Sequence, residues 1–316
     1  MSVEEIIKRI EGEKKSVQEE IYNAEGLLRL QEVMKNYAGD YRLIWSDELL
    51  RELENKPVTE AHKTGVPLLD KLIGGFRPQQ LVTISAHSKH GKTAFALFLM
   101  EQLEALHPLM IPLEQSNEEL VEQRRDNGYS IPKFLSPRKL AARVTTDWIE
   151  ERIVEGIAKH DTKFVVIDHL GYIDDLGEER RFARENLAYR IQVLMQTLKT
   201  LAKKWGVTVV LLVHISQADE GKPPTLQDLK GSSSILQESD MVLMLWRKNS
   251  LKKKVRVYED RTMISVLANR RTGKNGNVGL DFNTKTGRFE ENHAWVDVME
   301  RNAQQEVEAD NLFDES

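Results

Sequence analysis

LVTISAHSKHGKTAFALFLMEQL, residues 81 to 103, divides into three pieces in a fixed order. Leu81 to Ser85 is a short apolar run rich in β-branched side chains and reads as a strand. Ala86-His87-Ser88-Lys89-His90-Gly91-Lys92-Thr93 follows directly, and from Thr93 onward the apolar residues of TAFALFLMEQL read as a helix. A strand, then a loop ending in Gly-Lys-Thr, then a helix is the layout of a phosphate-binding loop. Successive backbone N–H groups and the helix N-terminus aim at phosphates, Lys92 reaches the outer phosphates, and the Thr93 hydroxyl serves a Mg²⁺ ion. The match departs from the template at its first position, where Ala86 stands in place of glycine. The ligand implied by the loop is ATP with Mg²⁺.

Outward from this stretch, the same alternation continues. Short apolar runs recur at 109–114, 163–168, 207–214, 241–246 and 264–268, and helical patterns near 92–104, 147–158 and 186–204 separate several of them. Most of the runs are continuous rather than alternating, as strands buried on both faces require. The expected fold is therefore α/β, a mostly parallel central sheet flanked by helices. NVGLDFNTKTGRFEE, from Asn277, reads as a terminal hairpin. Three regions follow: a helical N-terminal arm over 1–60, a core over 61–290, and an acidic tail over 291–316 expected to be disordered. Within the arm, residues 2–36 and Ser46 to Glu54 read as helices, with Pro57 as a stop.

The net charge of −5 conceals an uneven distribution. Residues 1–60 carry 9 basic and 14 acidic side chains and residues 291–316 carry 1 and 8, so the core is left at +7. A mildly basic body is compatible with contacts to a phosphate backbone. The chain has no cysteine, which excludes a disulfide framework and thiolate zinc sites. No apolar run approaches a membrane span and the N-terminus has no signal-peptide pattern, so the expectation is a cytoplasmic protein with no membrane partner.

Four more polar residues fall at the ends of apolar runs. Asp168 closes KFVVID, where a carboxylate is costly to bury; an aspartate there can cap a turn, but beside a phosphate loop it can hold Mg²⁺. Glu114 closes LMIPLE and is placed to orient and deprotonate an attacking water. His214 and Gln217, at the end of VTVVLLVHISQ, are alternatives for a group that hydrogen-bonds the terminal phosphate.

Together these segments resemble the hexameric replicative helicases, a family that includes bacterial DnaB, mitochondrial Twinkle and the phage primase-helicases, all built on a RecA-like core. The resemblance spans roughly 61–290. It runs through TGVPLLDKLIGGFRPQQLVTISAHSKHGKT (64–93), LEQSNEELVEQR (113–124), VVIDHLGYI (165–173), PPTLQDLKGSSSILQESDMVLMLWR (223–247) and ANRRTGKNGNVGLDFN (268–283). It implies an ATP-dependent translocase on single-stranded DNA, working as a homo-oligomeric ring, a hexamer, with a primase, loader or single-strand-binding protein as possible partners. By the same resemblance Glu114 is the catalytic base, Asp168 the magnesium aspartate, and Lys230, Gly231 and Ser232 face DNA in the channel. An arginine finger acting on a neighbour's ATP is Arg270 by the Twinkle pattern and Arg271 by the DnaB pattern. A RecA-like recombination or repair ATPase without unwinding activity and a KaiC-like regulatory ATPase are the competing readings.

Overall fold

The computed structural model describes residues 24–39, 42–55, 61–173, 187–215, 221–225, 228, 232–252 and 255–292, together with 294 and 297. They belong to two units, Met1–Thr59 and Glu60–Ser316. In the first, α1 (Ala24–Lys35) and α2 (Ser46–Asn55) are helices; of the helix expected over 2–36, residues 2–23 lie outside the described residues. α2 has Asp47 and Glu48 in its first turn, favourable at a helix N-terminus. It buries no residue and leaves Leu49, Leu50 and Leu53 exposed.

The second unit is an eight-stranded sheet with helices on both faces. Its strands are β1 (Leu81–Ala86), β2 (Leu109–Pro112), β3 (Phe164–Asp168), β4 (Thr208–His214), β5 (Met241–Lys252), β6 (Val255–Asn269), β7 (Gly276–Asn283) and β8 (Arg288–Glu291). The spatial order is β2-β3-β4-β1-β5-β6-β7-β8. Strands β2, β3, β4, β1 and β5 run parallel, and β6, β7 and β8 add on antiparallel. The helices are α3 (Pro67–Ile73), α4 (Lys92–Gln102), α5 (Asn117–Asp126), α6 (Thr146–His160), α7 (Leu187–Trp205) and α8 (Ser232–Glu238). This is the mostly parallel α/β sheet expected, with the terminal hairpin realised as β7 and β8.

Why the apolar runs are continuous is visible in the core. On one face Val82, Ile84, Val166 and Val210 pack against Phe95, Ala96 and Leu99 of α4 and Leu69 and Ile73 of α3. On the other, Leu81, Val165, Ile167, Val209 and Leu211 pack against Ile149 and Ile153 of α6 and Leu194, Met195 and Leu198 of α7. Successive side chains of a strand point to opposite faces, so a strand covered on both sides has no polar position left to alternate.

Two polar pairs join the central strands beside this core. Asp240, just before β5, accepts from the backbone N–H of Leu81 at 2.7 Å and is bonded by Lys199 of α7. Thr83 and Ser239 hydroxyls meet at 2.8 Å. These bonds tie β1 to the start of β5 and so hold the central strands in register.

Three features were not expected from sequence. α5 is one, and its start is a capping box in which Ser116 and Glu119 exchange side-chain and backbone bonds. α3 is another, opened by Pro67 and closed by Gly74 at φ 80°. The third is the length of β5 and β6, which pair beyond the sheet through a register shift between Arg247 and Asn249. Residues 247–260 are mostly polar, with Leu251, Val255 and Val257 spread thinly among charged side chains, so they form no continuous apolar run.

Candidate nucleotide-binding site

Open α/β sheets bind ligands beyond the carboxyl ends of their strands. Here four adjacent strands, β2, β3, β4 and β1, deliver Glu114, Asp168, His214 and the loop 86–93 to that edge. Loop and strand-end residues line a cleft of about 700 Å³ that includes Ser88, Lys89, Lys92, Thr93, Glu114 and His214.

The loop turns through Lys89 at φ 66° and Gly91 at φ 89°. Gly91 is the N-cap of α4, and a Cβ there would meet only Phe289 at 3.9 Å. Glycine is therefore demanded by the left-handed backbone and not by lack of space. Ala86 is the last residue of β1 and is fully buried, with ordinary strand neighbours in β4 and β5. A methyl group at this first position is accommodated by the core.

Lys92 is buried, 5% exposed. Its Nζ donates to the carbonyls of Ala86 at 3.2 Å and His87 at 3.5 Å and to Nδ1 of His214 at 3.0 Å. Burial lowers its pKa to about 8, opposed by the Asp168 and Glu114 carboxylates. The Thr93 hydroxyl donates to Oδ2 of Asp168 at 2.7 Å. Asp168 is 1% exposed, its carboxyl pKa is raised mainly by burial, and its Oδ1 has no hydrogen-bond partner among the described residues. A buried carboxylate with one oxygen uncompensated and a hydroxyl on the other suits a hard divalent cation with oxygen ligands. The residues present fit Mg²⁺.

Glu114 is held by its backbone. The carbonyl of Asp168 accepts from the N–H of Leu113 at 2.5 Å and of Glu114 at 3.0 Å. The Glu114 side chain, 41% exposed, turns its Oε2 to Nε2 of His214 at 3.1 Å. His214 thus bridges the lysine of the loop and the carboxylate at the end of β2.

His169, which sequence reading did not single out, completes this corner. Its ring meets His214 edge-on at 4.4 Å and its Nε2 lies 4.0 Å from Glu114 Oε2. Its position directly after Asp168 was the available signal. Glu114, His169 and His214 lie close enough together to hold a metal ion, but the hydrogen bonds assign their nitrogens otherwise. Nδ1 of His169 accepts from the N–H of Gly171 at 3.0 Å, and Nδ1 of His214 accepts from the Lys92 ammonium. In a neutral ring the proton is then on Nε2, the atom that faces Glu114. Burial holds the His169 pKa down at about 4, so this ring is neutral. The His214 N–H steadies Glu114 by a hydrogen bond and the His169 N–H faces the same oxygen from 4.0 Å, so both rings turn a proton, not a lone pair, to this corner.

Arg270 and Arg271 are exposed and stand at the other end of the sheet. Asn269, the last residue of β6, pairs with Met241, which is level with Val82 near the start of β1. About 13 Å of strand separates that level from Ala86, where the loop begins. Neither arginine can reach its own chain's loop. Ser232 opens α8, whereas Gln217, Lys230 and Gly231 lie outside the described residues, as does the tail from 298 onward. Among the described residues no helix is long and apolar enough to cross a membrane.

The sequence profile of the DnaB-like helicase C-terminal domain family matches residues 62–132 and 139–291. The replicative DNA helicase DnaB of Mycoplasma genitalium is 27% identical over 263 residues, covering 72% of this chain and 55% of its own length. That of Treponema pallidum is 27% identical over 266 residues with the same coverage. The chain thus spans about half the length of these relatives. Among solved structures, one ATPase domain superposes with a TM-score of 0.62 at 21% identity, covering 78% of this chain and 96% of that domain. A DnaB-like replicative helicase studied with its primase gives the same TM-score at 20% identity, over 86% of this chain and 73% of its own. At these identities the two structures establish the fold alone.

Proposed function

The chain belongs to the DnaB-like helicase C-terminal domain family, and from that premise we propose that it is an ATP-driven DNA helicase that moves on single-stranded DNA as a ring. The observation that carries this reading is the meeting of Lys92, Thr93, Asp168, His214 and Glu114 at one edge of four adjacent strands. These are the groups that phosphoryl transfer to water requires: donors for the phosphates, a hydroxyl and carboxylate for the metal, and a base.

ATP phosphates seat on the loop from Ala86 through His87, Ser88, Lys89, His90 and Gly91 to Lys92 and Thr93. Lys92 exchanges its carbonyl and imidazole partners for phosphate oxygens. Thr93 and Asp168 hold Mg²⁺, which when bound screens charge on the outer phosphates. Glu114 accepts a proton from the attacking water through the oxygen that His214 does not hold. When the Lys92 ammonium turns to phosphate it releases the His214 ring, which turns its N–H from Glu114 to the terminal phosphate and so senses it; Gln217 is the alternative sensor.

Arg270 or Arg271 acts on the ATP of a neighbouring copy, since the fold keeps both away from their own loop. The ring is a hexamer by likeness to the family, and Lys230, Gly231 and Ser232 contact the DNA backbone. A primase, a helicase loader and a single-strand-binding protein are the partners to test first, in the cytoplasm of the cell or of a phage's host.

Strand displacement on a forked duplex tests the reading. ATP-dependent release of one strand, lost in Lys92→Ala, is the expected result. DNA-stimulated ATP hydrolysis with no displacement on forks of either polarity would assign the chain to the recombination or repair class instead.

A further inference from the structure

The pairing of β5 with β1 ends where Leu245 meets Ala86. Two residues further, the backbone N–H of Arg247 donates to a side chain of the phosphate loop, Nδ1 of His90, at 2.9 Å. His90 is fully buried, and Tyr258 of β6 stands edge-on to its ring at 5.4 Å and 83°. The Arg247 guanidinium closes the group, bonding the carbonyl of Glu259 at 2.5 Å and Oδ1 of Asp260 at 3.0 Å, and lying 5.7 Å from the Tyr258 ring centre. A side chain of the loop is thereby built into the ribbon formed by β5 and β6.

Three facts give this contact a consequence for the loop. His90 is shut off from water, where a lost hydrogen bond is not replaced by solvent, so the bond between Arg247 and His90 resists breaking. His90 sits between Lys89 and Gly91, both in the left-handed region, where the loop must be held by its surroundings if a lysine is to stay there. Burial, with help from nearby cations, lowers the His90 pKa to about 4, so the ring is neutral and able to accept.

We infer that His90 is a positioning residue that holds the phosphate loop in its anion-receptive form by fastening it to the β5–β6 ribbon. The inference rests on the reading that this loop binds nucleotide. Before nucleotide arrives, the middle of the loop is already fastened from behind, at His90. Without the anchor the loop samples other forms, and apparent affinity falls by the fraction that remains receptive.

Asparagine and glutamine separate this role from general packing. The Asn side-chain oxygen falls where Nδ1 lies and can accept from Arg247, whereas Gln places its polar end near Nε2. ADP binding by calorimetry, steady-state ATP hydrolysis and thermal melting are measured on His90→Asn, His90→Gln and His90→Ala. His90→Gln and His90→Ala should bind ADP about tenfold more weakly, with the loss falling on KM for ATP more than on kcat, and His90→Asn should recover most of it. If the alanine variant does not fold, the contrast between Asn and Gln decides alone. Equal affinity in those two, or a fall in kcat at unchanged KM, overturns the role of His90. Lys92→Ala serves as the reference: should it bind ADP and hydrolyse ATP normally, the nucleotide site itself is wrong. An inactive Lys92→Ala beside His90 variants of wild-type affinity removes only the anchor.

Discussion

Lys92 Nζ lies 3.0 Å from Nδ1 of His214, so the lysine of the phosphate loop is bonded to the end of β4 and, through the same ring, to Glu114 just beyond β2. The groups proposed to bind phosphate, to sense it and to take the water proton are connected by two hydrogen bonds across four strands. Nucleotide must break the first of these to engage Lys92.

Lys92→Ala is expected to abolish ATP turnover while the protein stays folded, because the ammonium serves the site and contributes no apolar contact to the core. Phosphate release and circular dichroism check it. Substantial hydrolysis with normal magnesium dependence would remove the loop from the mechanism.

Affinity for ADP should fall as pH rises above about 8, the Lys92 value. The sign follows from linkage: the free site loses its ammonium in that range, bound phosphate favours the charged form, and binding therefore takes up a proton. Calorimetry at about pH 8.5 in buffers of different ionisation enthalpy reads the uptake directly. The same uptake in Lys92→Ala would contradict the assignment.

Glu114→Gln should bind nucleotide and lose hydrolysis, since the amide keeps the shape but cannot accept the water's proton. A drop on the order of 10² or more in kcat is expected. Wild-type turnover would move the base elsewhere.

How much of this was legible in the sequence follows from how much of it is local. The loop, Asp168 and Glu114 each stand at the end of an apolar run, and a run continuous enough to be buried on both faces fixes where its end must be. The runs around Val82, Val166 and Val210 therefore announced both the parallel sheet and the edge at which the site forms. What was missed depends on contacts far apart in sequence. His169 acquires its place only when the ends of β2 and β4 come to lie on either side of it, and the burial of His90 depends on Arg247 and Tyr258, far along the chain. The stretch 247–260 is dominated by charged and polar side chains, so no continuous apolar run marks it. The opposite placement of Arg270 and Arg271 was readable in outline, because a strand antiparallel to β5 must end where β5 begins.

Asp240→Ala tests the fold beneath the site. It removes the acceptor for the Leu81 N–H and leaves the Lys199 ammonium, 12% exposed, without its carboxylate. A loss of about 3 kcal/mol in urea unfolding is expected from breaking such a pair on one side. A change below about 1 kcal/mol would mean that solvent reaches and compensates both groups.

Mixing two inactive variants tests most directly whether ATP is hydrolysed between copies of the chain. One carries Lys92→Ala, the other both Arg270→Ala and Arg271→Ala, and each must still assemble. An arginine supplied by a neighbour stabilises charge on the transferring phosphoryl group and is worth on the order of 10³ to 10⁵ in rate in other nucleotide hydrolases. The mixture should regain hydrolysis at interfaces that join an intact loop to an intact arginine. Normal hydrolysis by the arginine variant alone, or a mixture that stays inactive despite verified co-assembly, would contradict the ring mechanism.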